Sequence, residues 1–275
     1  MEHASPLVIL LLISFAGPVL YFIYRARKGQ RIFVRRIAGV DAVDDAVGRA
    51  VELGRPLSFT SGLTGIGPLF YACLGVMRYI AGKSARFGSR FLVPSGDPEA
   101  LVLSDATVQS AYRTERRFSS YDPTSVRYLS GDQFAFASGY MGLIQRERVA
   151  GAFIFGSFAA ESLILADAGQ RVGAIQVAAT TSNEQLPFFI TTCDYTLLGE
   201  EIYAAGAYLS GDPTQTGSLR GQDFGKILML VIVLGGVLQA TYYSLTTGIS
   251  QTPAAGWFEL SWSDVWALFP GLSGE

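Results

Sequence analysis

Two long apolar runs frame the chain. Residues 7–24 read LVILLLISFAGPVLYFIY and residues 227–245 read ILMLVIVLGGVLQATYYSL, neither with a charge. At about 1.5 Å per helical residue the first run covers about 27 Å, close to the hydrocarbon thickness of a bilayer. Both are expected to be transmembrane helices. Pro18 is tolerable inside a span, the Gly235-Gly236 pair predicts close helix approach, and Tyr242 and Tyr243 suit the interface. A cleaved signal peptide carries its positive charge ahead of the apolar core. Here the basic stretch RARKGQRIFVRR (25–36) follows it, so the run is expected to stay as an anchor.

Between the runs the periodicity alternates. In DAVDDAVGRAVELG (41–54), Val43, Ala46, Val47, Ala50 and Val51 form a helical stripe opened by Asp41 and stopped by Gly54 and Pro56. LSFT (57–60) predicts a strand, 68–87 a long apolar helix opened by a proline, RFLVP (90–94) a strand, and DPEALVLSDATVQSAYR a helix. AGAFIFGSFAAESLILADAG (150–169) predicts one apolar helix, AIQVA (174–178) and FFIT (188–191) predict strands, and about 195–209 the last helix. This alternation predicts an α/β fold, a mainly parallel sheet with flanking helices (Rossmann-like), inserted between an N-terminal and a C-terminal transmembrane helix. The expected division is an anchor with its basic flank (1–30), a cytoplasmic α/β domain (31–222), a second span (223–247) and an aromatic interfacial tail (248–275).

Charge orients this arrangement. Arg25, Arg27, Lys28, Arg31, Arg35 and Arg36 flank the first run, Arg220 and Lys226 precede the second, and no lysine or arginine lies before residue 25 or beyond 226. The positive-inside rule puts 25–226 in the cytoplasm and both termini outside an inner (plasma) membrane. In the tail, Trp262, Val265, Trp266 and Phe269 share a helical face, with Trp257 just upstream. That face suits either the outer leaflet or a neighbouring subunit.

Composition narrows the chemistry. Charged residues make up 16% of 275 and the net charge is −2, which excludes a basic nucleic-acid surface. One histidine, His3, excludes histidine triads and multi-histidine metal sites within one chain. Cys73 and Cys193 form no disulfide framework or zinc pattern. The strongest ligand signal is SFTSGLTGIGPLF, which sets Gly62, Gly65 and Gly67 between a predicted strand and a helix, where a dinucleotide's phosphates would sit. The order is GxxGxG, and no P-loop lysine follows. Asp97, in VPSGDP, falls where a ribose-binding acid is expected, although thirty residues beyond Gly67. Glu161, read as lying inside an apolar helix, needs a partner there. FFITTCDYTLLGEE (188–201) places Thr192, Cys193 and Asp194 at a predicted strand-to-helix crossing, with Glu201 one turn on. Asp194 or Thr192 would cap the helix, and Cys193 at its N-terminus would have a lowered pKa. The acids match no metal loop, and no cofactor follows from the sequence.

RRIAGVDAVDDAVGRAVELGRP, DQFAFASGYMGLIQRE, GSFAAESLILADAG, LPFFITTCDYTLLGEEIYAAGAYLS and GSLRGQDFGK together resemble a family of prokaryotic membrane proteins described as a domain of unknown function. The resemblance runs from about residue 31 to the second apolar run and implies two anchors around one cytoplasmic domain. It implies no reaction, substrate or cofactor. The residues point to a non-enzymatic, membrane-anchored structural or assembly protein whose domain self-associates on the inner leaflet as a homo-oligomer. Two alternatives remain. One is a membrane-bound enzyme or sensor holding a nucleotide-like ligand through Gly62, Gly65, Gly67, Asp97, Asp194 and Glu201; the other is a subunit of a hetero-complex.

Overall fold

The computed structural model describes residues 6–29 and 38–247. The basic residues Arg31, Arg35 and Arg36 and the tail residues Trp257, Trp262, Trp266 and Phe269 lie outside the described residues. The chain divides into two compact units, Val34–Asp212 and a second made of Met1–Phe33 with Pro213–Glu275.

The first unit is a six-stranded sheet in the order β3-β2-β1-β4-β5-β6, with every neighbouring pair parallel. Its strands are β1 (Leu57–Thr60), β2 (Phe91–Ser95), β3 (Val126–Tyr128), β4 (Gly151–Gly156), β5 (Ile175–Thr180) and β6 (Tyr195–Leu198). The sheet is therefore α/β and parallel, and its order is that of a doubly wound Rossmann fold. The helices are α2 (Ala38–Leu53), α3 (Pro68–Phe87), α4 (Pro98–Thr114), α5 (Gln133–Glu147), α6 (Ser162–Val172), α7 (Leu186–Thr192) and α8 (Glu201–Ser210).

Period-2 alternation along the strands divides the core. Phe59, Phe153, Phe155, Val177 and Ala179 face α2, α3, α4 and α8, whereas Ile154 and Ala178 face α5, α6 and α7. Because both faces are covered, β4 reads as an unbroken apolar run rather than as an alternating one. At the first residues of β4 and β1, Ala46 of α2 lies against Gly151, whose own Cβ would meet the Leu57 side chain at 2.7 Å.

Three sequence expectations change here. GAFIFG within 150–169 is the buried strand β4, and only 162–172 is helix. FFIT is not a strand but part of α7, opened by a proline, with the Thr191 and Thr192 hydroxyls donating back to carbonyls one turn earlier. The sixth strand is YTLL, and the last helix of the domain starts at Glu201 rather than near 195.

The second unit pairs α1 (Pro6–Arg27) with α9 (Pro213–Thr247). The stretch TQTGSLRGQD ahead of the apolar run is helical and forms the opening turns of α9. Among the described residues one helix, Pro213–Tyr242, is long and apolar enough to cross a membrane. Among the described residues close approach does not occur at Gly235 and Gly236, which have nothing within 4 Å of an added Cβ. It occurs at Gly217, Gly221 and Gly225, where a Cβ would meet Ile23 Cα at 2.7 Å, Val19 Cα at 2.5 Å and the Phe15 ring at 3.2 Å. Each step of four along α9 matches a step of four back along α1, as small-xxx-small seams do. Continued, this register sets Ile13 beside Ile227 and leaves α9 beyond residue 234 without a described neighbour on α1. The two apolar runs are therefore offset by about twelve residues, or about 18 Å of helix. The α9 residues level with the apolar body of α1 include Arg220, Asp223 and Lys226, all exposed.

Candidate functional site

In a doubly wound sheet, ligands bind beyond the carboxyl ends of the strands where the order reverses, here between β1 and β4. The glycine-rich loop 61–67 leaves β1 at that point. Gly62 has φ +63°, and its N–H donates to Thr60 Oγ1 at 3.0 Å. Thr60 Oγ1 in turn donates to Pro94 O at 2.8 Å, tying the end of β1 to β2. Gly67 is extended at φ −175°, and no side chain caps α3 there.

The loop after β4 closes onto this loop. Ser157 N–H donates to Thr64 Oγ1 at 2.9 Å, and the Phe158 ring lies where a Cβ on Gly62 would be, at 2.6 Å. Phe158 is itself buried against Phe189 of α7. The switch-point crevice between these two loops is thus occupied by Phe158 and Thr64. Neither residue stood out in the sequence; the usable signal was a bulky apolar residue just past a buried strand, opposite a glycine.

Asp97 lies at this edge, with Oδ2 3.8 Å from where a Gly65 Cβ would be. Its Oδ1 accepts from Glu99 N at 2.8 Å and Ala100 N at 2.9 Å, so it caps α4. Asp132 caps α5 in the same way, through Ala135 N at 2.9 Å. Glu161 is not inside a helix; it stands at the N-terminal boundary of α6, buried, and its Oε2 accepts from Ala159 N at 3.1 Å and from Gln133 Nε2. Its partners are neutral donors at the mouth of β4.

Gly62, Gly65, Gly67 and Asp97 therefore gather at one edge of the sheet. Asp194 and Glu201 do not join them. Asp194 precedes β6 at the opposite, amino-terminal edge, where Oδ2 accepts from Gln176 N at 2.7 Å and ties β6 to β5. Glu201 is at the carboxyl edge but three strands from β1, about 14 Å away across the sheet. Its Oε2 accepts from Leu198 N at 3.1 Å, closing the turn between β6 and α8.

Cys193 ends α7 rather than opening a helix, and burial pushes its thiol up to about 12 instead of down. Burial raises Cys73 as well. Among the described residues no group of three His, Cys, Asp or Glu side chains is placed to hold a metal ion.

A separate recess of 230 Å³ opens between α3, α4 and α8, lined by Arg78, Lys83, Arg86, Thr114 and Ser210 among others. Arg86 is already held by Glu115 through two hydrogen bonds of 3.0 and 3.1 Å, and Lys83 lies 3.4 Å from Asp44. The recess is smaller than the about 300–1,000 Å³ of sites that enclose drug-sized ligands.

The family described as a domain of unknown function (DUF6754) matches residues 1–250. Comparison with curated proteins and with solved structures gives no match.

Proposed function

The chain belongs to the DUF6754 family, and from that premise we propose that it is a membrane-anchored assembly protein whose α/β domain associates with further copies of itself. The observation that carries the anchor is the apolar band of α9. Ile227, Leu230, Val231, Val233, Val237 and Leu238 are all more than half exposed, which is untenable in water over so long a helix. In this reading α9 is the span, and the body of α1 braces its polar opening turns through the glycine seam.

The two-span topology expected from the sequence, with both termini outside, requires α1 and α9 to slide by about twelve residues and give up that seam. Single-cysteine labelling separates the two. A cysteine at Ser14 stays accessible to an aqueous reagent from the domain's side if α9 alone spans, and is shielded if α1 spans as well.

Assembly rather than chemistry is favoured by the occupied crevice. Two of the residues that sequence logic offers to a ligand are engaged otherwise, Gly62 under the Phe158 ring and the Asp97 carboxylate as the cap of α4, and beside them Ser157 N–H is taken by Thr64. Confinement to a membrane also raises the local concentration of copies without any new contact. Amine-reactive cross-linking in native membranes tests this. A ladder of homo-oligomers supports assembly; a band at one chain mass under conditions that cross-link a known oligomer overturns it.

A second reading, in which a nucleotide-like ligand enters at the strand ends, draws on the strand order and on the uncapped start of α3 at Gly67. It requires Phe158 to move away. A nucleotide panel that raises the unfolding temperature of the wild type but not of Gly62→Val would favour it.

A further inference from the structure

The sheet divides the charge of the domain between its two edges. The six connections that leave the strands (61–71, 96–101, 129–136, 157–165, 181–189 and 199–204) carry seven acids and no lysine or arginine. The connections that enter the strands (50–56, 84–90, 111–125, 144–150, 169–174 and 190–194) carry nine arginines against five acids. Part of this polarity has a local cause, because acids stabilise helix N-termini and arginines helix C-termini. Asp97 and Asp132 are caps of that kind, and Arg86, Arg113, Arg146 and Arg171 stand in last turns.

The local cause does not account for the surplus. Arg116 and Arg117 lie beyond the last turn of α4, and Arg148 beyond that of α5, all exposed and without an ion-pair partner among the described residues. Glu99 and Glu184 are likewise exposed at the acidic edge.

Both edges also bear large apolar side chains open to solvent. The acidic edge shows Ile66, Phe134, Leu163 and Phe188, one from each of four different connections. The arginine edge shows Phe87 and Phe118. Exposed ion pairs alone contribute little to affinity but steer and set register, whereas exposed aromatic and aliphatic side chains supply the burial.

We propose that the acidic carboxyl edge of the sheet in one copy docks on the arginine-rich amino edge of the next copy. The contact is heterologous, so it repeats with every copy in the same orientation and either closes into a ring or continues as a row. This rests on the assembly reading above and specifies its interface.

Charge-reversed pairs test it in full-length protein in a neutral detergent at 50 mM salt, read as particle mass by light scattering. The variants are Glu99→Lys with Glu184→Lys, and Arg117→Glu with Arg146→Glu. Each alone removes most of the attraction between the edges, leaving −3 against +4 in the first and −7 against 0 in the second where the wild type has −7 against +4, and is expected to weaken self-association at least tenfold. In an equimolar mixture alternate contacts keep the wild-type charges and the others set the introduced lysines against the introduced glutamates, and the mixture is expected to regain the wild-type mass. The single changes Glu184→Lys and Arg146→Glu serve if a double variant loses its helical circular dichroism. Variants that assemble like the wild type, or a mixture that stays dissociated, overturn the edge contact while leaving assembly intact. A wild type of one chain mass overturns both.

Discussion

Two glycine-lined joints in this protein invite comparison. The loop after β1 and the opening turns of α9 are both marked by glycines at short intervals. At the switch point, Gly62 leaves room for the Phe158 ring and Gly156 for the Ser61 carbonyl, which would lie 2.7 Å from an added Cβ. On α9, Gly217 and Gly221 leave room for the backbone of α1 at Ile23 and Val19. In both places the space is taken by the protein's own atoms. The joints differ in what fills them: a side chain that could rotate away in the first, and a helix backbone that could not in the second. A glycine run thus marks a close approach, and only the neighbour says whether the approach is structural or a ligand's.

The largest effect is expected on α9. Gly217→Leu with Gly221→Leu drives side chains into α1 backbone and should cost about 2–6 kcal/mol, separating the helices. Protease cleavage of α1 in detergent should rise while the α/β domain keeps its unfolding temperature, and unchanged cleavage would break the comparison. Phe158→Ala empties the crevice and should destabilise the domain by about 3–5 kcal/mol, read as its thermal midpoint. If that variant is as stable as the wild type, the ring is a movable plug and the ligand reading gains. Asp194→Asn weakens the hydrogen bond from Gln176 N and should cost about 1 kcal/mol, since the side chain is exposed.

Gly67→Ala should change stability by less than about 0.5 kcal/mol, because its backbone is extended and nothing lies within 4 Å of an added Cβ. The smallest effect concerns reactivity alone. With its thiol raised to about 12, Cys193 is almost wholly protonated at pH 8. Native protein should react with iodoacetamide at least about a hundredfold more slowly than denatured protein, and the rate should climb as pH rises toward that value.

Much of the fold was legible in the sequence. The helix at 68–87 coincides with α3, because a proline opens it and Gly88, in the left-handed region, closes it. LSFT coincides with β1. GAFIFG was not legible, because a strand buried on both faces is apolar throughout and joins the apolar helix after it without a change of period. FFIT failed for the opposite reason. Seven residues rich in phenylalanine, isoleucine and threonine carry strand propensity, yet a proline and two back-bonding threonines make them a helix.

The misplaced strand carried the site residues with it. With 188–191 taken as strand, Asp194 fell at the carboxyl edge; with YTLL as the strand, it falls at the amino edge. The seven acids and nine arginines were visible one by one, but their separation onto two edges follows only from the strand order, since they are spread along the chain from Arg55 to Glu201.

The most direct measurement is the mass of the native particle, extracted in a mild neutral detergent and weighed by native mass spectrometry. A particle of several identical chains that dissociates as salt is raised is what an assembly with opposed charged edges predicts. A single 29.6 kDa chain at every salt concentration would contradict it.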